Sequence, residues 1–150
     1  MARTNQALFE HSPWVEERAD ALPPSGDRHV DLMAVVHAAT VDEQLALIRA
    51  HPELAGKAAI DKTLTDASAA EQASAGLDRL TPEEYERFHR LNAAYREKFG
   101  FPFIICVRLT DKAGILAAMQ ARLGNSRDAE IATAIAQIGE IVRLRLEDMP

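Results

Sequence analysis

The sequence predicts an all-α fold, a single compact multi-helix domain over residues 1–150. Three observations carry this expectation. Apolar residues recur at spacings of three and four along most of the chain. Capping and stop residues bracket those stretches. Phe103 to Leu109 is the one run that reads as extended, and one such run makes no sheet.

From the N-terminus, Asn5 to Ala21 is too short for its own core and is expected to pack on the remainder. Leu22-Pro23-Pro24-Ser25-Gly26 is a loop by composition. Val30, Met33, Ala34 and His37 mark a helix, with His37 read as a satisfied core histidine. Leu45, Ile48 and Ala55 suggest a shorter helix, broken at His51-Pro52 because a residue before proline avoids helical backbone. Ser68-Ala69-Ala70-Glu71 has the spacing of a capping box. A second box, Thr81-Pro82-Glu83-Glu84, starts a helix that places Tyr85, Phe88, Leu91, Tyr95 and Phe99 on one face. Gly100 and Pro102 stop it. Ile115, Met119 and Leu123 mark a helix after Asp111, ended by Gly124-Asn125. The last runs from about Ser126 to Leu146 and buries Ile131, Ile135, Ile138 and Val142. These signals predict about six to eight helices.

Composition narrows the function. The net charge is -6, from 17 basic and 23 acidic residues. Nucleic-acid binders need basic surface to displace phosphate counterions, so no nucleic-acid partner is expected. One cysteine, Cys106, rules out an internal disulfide and suits a reducing compartment. The longest apolar run, Phe101 to Val107, is far short of the ~20 residues that span a bilayer. No signal peptide or peroxisomal address is visible, so the expected location is the cytoplasm, with no membrane partner.

Few residues could carry chemistry. At His51-Pro52-Glu53 the proline holds an imidazole in a rigid corner, and a plain surface turn would look the same. Ser68 to Gln72 reads as a helix start, whose free N–H groups can also hold an anion. Arg145 falls on the apolar stripe of the last helix, four residues after Ile141, whereas Arg143 lies off it. An inward charge needs a structural carboxylate, a snorkelling path or an anionic ligand. Arg108 could face a pocket, and Cys106 beside it reads as an inert buried thiol. Glu86-Arg87-Phe88-His89 has the spacing of a di-iron ligand pair but lacks its second copy. No phosphate-binding glycine loop or nucleophile elbow is present, so chemistry without metal or cofactor is the simplest enzymatic reading.

Several motifs occur together in order. They are Glu10-His11-Ser12-Pro13-Trp14-Val15, His51-Pro52-Glu53-Leu54-Ala55-Gly56, Ser68-Ala69-Ala70-Glu71-Gln72, Ala75-Gly76-Leu77, Phe99 to Arg108, and Arg143-Leu144-Arg145-Leu146. With this order and spacing the chain resembles the 2-oxo-4-hydroxy-4-carboxy-5-ureidoimidazoline (OHCU) decarboxylase family over nearly its whole length. The resemblance implies an all-α, cofactor-free homodimer that converts OHCU to (S)-allantoin late in urate degradation. It implies catalytic roles for His51, Glu71 and Arg145. Substrate contacts are implied at Pro52, at Ser68, Ala69, Ala70, Glu71 and Gln72, and at Phe103, Ile104, Ile105, Cys106 and Val107. Two positions depart from the family pattern: Glu53, where aspartate is common, and Leu109, where a smaller residue is common. Two other readings compete. One is a non-catalytic helical module that binds a ureide or purine-derived ligand; the other is a lyase acting on a different carboxylated heterocycle.

Overall fold

The computed structural model describes residues 8–9, 11–51, 53–54 and 66–148, with backbone alone at 66–68. Among them are seven α-helices and one 3₁₀ turn, with no strand. The helices are α1 (Trp14–Asp20), α2 (Arg28–Ala38), α3 (Val41–Arg49), α4 (Asp66–Ser74), α5 (Pro82–Phe99), α6 (Lys112–Arg122) and α7 (Arg127–Asp148). The 3₁₀ turn is Val107–Leu109.

Local chemistry sets most helix ends. The Thr81 hydroxyl accepts from the Glu84 N–H at 3.1 Å, and the Glu84 carboxylate accepts from the Thr81 N–H at 2.9 Å. The same reciprocal box joins Thr40 and Glu43 at the start of α3. Asp27 and Asp111 cap α2 and α6 through single side-chain bonds. Gly100 ends α5 in the left-handed region at φ 81°, where a Cβ would be strained.

The 22-residue α7 is the spine. It buries Ile131, Ala134, Ile135, Ile138 and Val142, and both α2 and α3 pack against it. The segment before α2 docks through Leu8, Phe9, Val15 and Ala19. The end of α5 supplies an aromatic cluster in which Tyr95 meets Phe99 at 4.5 Å and Phe103 edge-on at 5.3 Å.

Four expectations need correction. The inward face of α2 is Leu32, Met33, Val35 and Val36, whereas Val30, Ala34 and His37 are exposed. Packing against both α1 and α7 widens and rotates the buried stripe, so an equally helical pattern pointed the wrong way. His37 is therefore a surface residue. Tyr85 is 38% exposed, because it sits in the first turn of α5, at the edge of the buried stripe. Ser68 does not cap α4, since helical backbone already runs from Asp66. The extended run stops at Cys106, where the Leu109 N–H turns back to the Cys106 carbonyl and closes the 3₁₀ turn.

Glu16 on α1 is 4% exposed, and its Oε1 has no hydrogen-bond partner among the described residues. Burial raises its carboxyl from 4.5 to about 7, and nearby Arg28 opposes the rise. A folded-state value above the unfolded one favours the protonated native state. The associated stability is complete below pH 4.5 and is lost as pH climbs toward 7. At about 1.4 kcal/mol per unit, the loss amounts to roughly 3 kcal/mol. Glu16→Gln should remove this slope. Urea melts of both proteins across that pH range test it, and parallel pH profiles would refute it.

Candidate functional site

α3 ends at Arg49, and the chain then turns a corner. The His51 N–H donates to the Ile48 carbonyl at 3.1 Å. Its Nδ1 lies 2.9 Å from the Leu47 carbonyl oxygen. A carbonyl only accepts, so Nδ1 carries the hydrogen and the lone pair of the neutral ring resides on Nε2. The far side of the corner is held from α5. There the Asn92 side-chain amide donates to the Leu54 carbonyl at 2.8 Å, and Arg96 pairs with Glu53. Pro52 lies outside the described residues.

α4 brings Glu71 against Arg145 of α7. Arg145 Nε donates to Glu71 Oε2 and Nη2 to Oε1, both at 2.7 Å, while Nη1 reaches the Leu8 carbonyl at 3.2 Å. The side chains are 6% and 14% exposed. This fork-on-fork contact cancels two charges in a poorly solvated place. It also commits one edge of the guanidinium to Glu71, so in this state Arg145 orients the carboxylate. Arg143, by contrast, is substantially exposed and pairs with Glu140 and Glu147 on its own helix.

Phe103 to Val107 forms a wall, with α4 packed against the 3₁₀ turn that follows it. Its irregular backbone is pinned from behind. Arg122 Nη1 donates to the Ile104 carbonyl at 2.7 Å, and its guanidinium lies 4.3 Å from the Phe103 ring centre. Arg122 Nε and the Tyr95 hydroxyl both donate to Glu130 Oε1, at 2.8 and 2.5 Å. Asn125 donates to Glu130 Oε2 at 2.8 Å. Three donors thus satisfy a carboxylate with no exposed surface. The Cys106 N–H donates to Gln137 Oε1 on α7 at 2.8 Å. Burial pushes the Cys106 thiol upward, so it remains protonated and a poor nucleophile.

Corner, pair and wall enclose one pocket of about 490 Å³, including its open mouth. His51, Glu71, Gln72, Arg145 and all of Phe103 to Val107 line it. Ala69 and Ala70 are exposed on α4 and do not. The Ser68 side chain lies outside the described residues. Leu54, Ile141 and Arg108 also line the pocket. Ile141 was legible in advance, since it precedes Arg145 by one turn on the same face. Leu54 had no such signal, because only the fold closes its corner over the site. Arg108 stands with its guanidinium 2.7 Å from Asp148 at the end of α7. Among the described residues no three His, Cys, Asp or Glu side chains gather as a metal site would require. No described helix is long and apolar enough to cross a membrane.

The OHCU decarboxylase family model matches residues 1–147. A 2-oxo-4-hydroxy-4-carboxy-5-ureidoimidazoline decarboxylase of Haloferax volcanii is 42% identical over 144 residues, covering 94% of this chain and 83% of its own length. The uric acid degradation bifunctional protein PucL of Bacillus subtilis is 42% identical over 146 residues, which are 95% of this chain and 29% of that protein. A crystal structure of (S)-allantoin synthase superposes with a TM-score of 0.72 at 29% identity, over 97% of this chain and 48% of that one.

Proposed function

The chain belongs to the OHCU decarboxylase family, and from that premise we propose that it decarboxylates OHCU to (S)-allantoin in urate degradation. The observation that carries the reading is the meeting of His51, Glu71 and Arg145 around one pocket with an apolar wall. The substrate's own ring supplies the electron sink. The bond to the carboxylate breaks and CO2 leaves. The electron pair becomes a C=C bond, and the adjacent C=N nitrogen takes the displaced pair and a proton. The resulting enol then loses its hydroxyl proton as the ring carbon bearing the ureido group gains one. Protonation on a single face yields one enantiomer.

In this scheme the protein orients, balances charge and moves protons. His51 Nε2 exchanges the proton of the substrate hydroxyl. Arg145 holds Glu71 in one orientation, directed at the ring or ureido N–H groups. The N–H groups of the wall hold substrate oxygens. No metal or cofactor enters the scheme. The reading extends to contacts from Pro52, Ser68 and Gln72, to a cytoplasmic location and to a homodimer.

Generating OHCU in place with urate oxidase and hydroxyisourate hydrolase, and following circular dichroism, tests the activity. The expected signal is (S)-allantoin formed faster than the uncatalysed, racemic conversion. An optically silent product at the background rate would reject it and leave a binding module.

A further inference from the structure

Gln137, Ile141 and Arg145 recur every four residues on α7 and share the face turned to the site. Ile141 and Arg145 line the pocket itself. Gln137 stands one turn further back, half-buried, with its amide oxygen on the Cys106 N–H at 2.8 Å. Cys106 has extended backbone, at φ -75° and ψ 96°. Along such backbone successive N–H groups face opposite sides. Drawing the Cys106 N–H back to α7 therefore turns that of the next residue, Val107, the other way. Val107 lines the pocket, and among the described residues its N–H meets no acceptor. The wall belongs to no sheet, so no ladder dictates its rotation. Arg122 fixes the wall one residue earlier, through the Ile104 carbonyl.

We propose that Gln137 is a positioning residue: by accepting from Cys106 it sets the rotation of the wall and aims the Val107 N–H group into the pocket. The proposal rests on the reading above that this pocket holds the substrate. Gln137 itself touches no substrate; it acts through the backbone it anchors.

Two variants separate this role from general support. Gln137→Leu keeps the size and removes the acceptor, and Gln137→Glu keeps an acceptor oxygen. With OHCU generated in place, Gln137→Leu is expected to raise KM about tenfold, because a shift of about 1 Å in a binding group weakens substrate capture. Its melting temperature should stay close to the parent's, and Gln137→Glu should restore KM. A substrate-free measurement reads the anchor itself: amide exchange at Cys106 should quicken about tenfold in Gln137→Leu and remain slow in Gln137→Glu. An unchanged KM in Gln137→Leu, or equal impairment in both variants, would overturn the proposal. So would unaltered exchange at Cys106. Should the parent make no allantoin, the activity reading fails by itself, and the exchange rates still decide whether Gln137 sets the wall.

Discussion

Replacing His51 with alanine is expected to lower the formation of (S)-allantoin by ~10²–10⁴-fold, the usual worth of one general acid–base group. The geometry favours this residue over the other histidines. Its Nδ1 is spent on the Leu47 carbonyl, which fixes ring and tautomer and places the basic lone pair on Nε2, in a residue that lines the pocket. His29 is bound to the Gly139 carbonyl and His37 is exposed. The alanine variant forgoes the hydrogen bond to the Leu47 carbonyl, worth about 1 kcal/mol, and is expected to fold. Initial rates measured by circular dichroism, together with a thermal melt, check both halves. Parent-like turnover in a folded His51→Ala protein would remove it from the chemistry.

The second large effect is expected at Arg145. Removing the arginine strands Glu71 as a nearly buried, unpaired carboxylate, so Arg145→Ala should lose about 3–5 kcal/mol of stability. Stability alone does not separate a catalytic pair from a structural one. Arg145→Lys does, because lysine keeps the charge and loses the planar fork that contacts both Glu71 oxygens. Turnover per folded molecule should fall at least ~10-fold in the lysine variant, since Glu71 is no longer held in one orientation. Arg143→Ala provides the contrast, for its exposed pairs with Glu140 and Glu147 are worth little. Full activity in a destabilised Arg145→Lys protein would reduce the pair to a structural ion pair, with Arg108 the remaining arginine among the described pocket residues for a substrate carboxylate.

Helix boundaries were the most legible part of the fold, because their causes are local. The Thr81 box, the Gly100 stop and the Asp111 cap each satisfy backbone groups from within a few residues, so their letters suffice. Faces were less legible. The stripe through Val30 and His37 has a sound helical period, yet α1 and α7 bury a different one. A period specifies that one side is apolar, and the neighbours decide which side.

The sequence by itself determined the helical class, the ends of α5 and α6, the inward course of Arg145 and the family resemblance, because each rests on short spacing or on ordered motifs. Only the tertiary structure decided what Arg145 meets. Glu71 lies 74 positions away in the chain, and no local pattern encodes such a pairing. The same holds for the wall from Phe103 to Val107. Its composition suggested an extended run that makes no sheet, and it has no strand partner among the described residues. Its Ile104 carbonyl is bound by Arg122 of α6 and its Cys106 N–H by Gln137 of α7. Backbone polar groups withdrawn from water must find partners somewhere, and where they do so outside a helix or sheet, the packing of distant helices makes the choice.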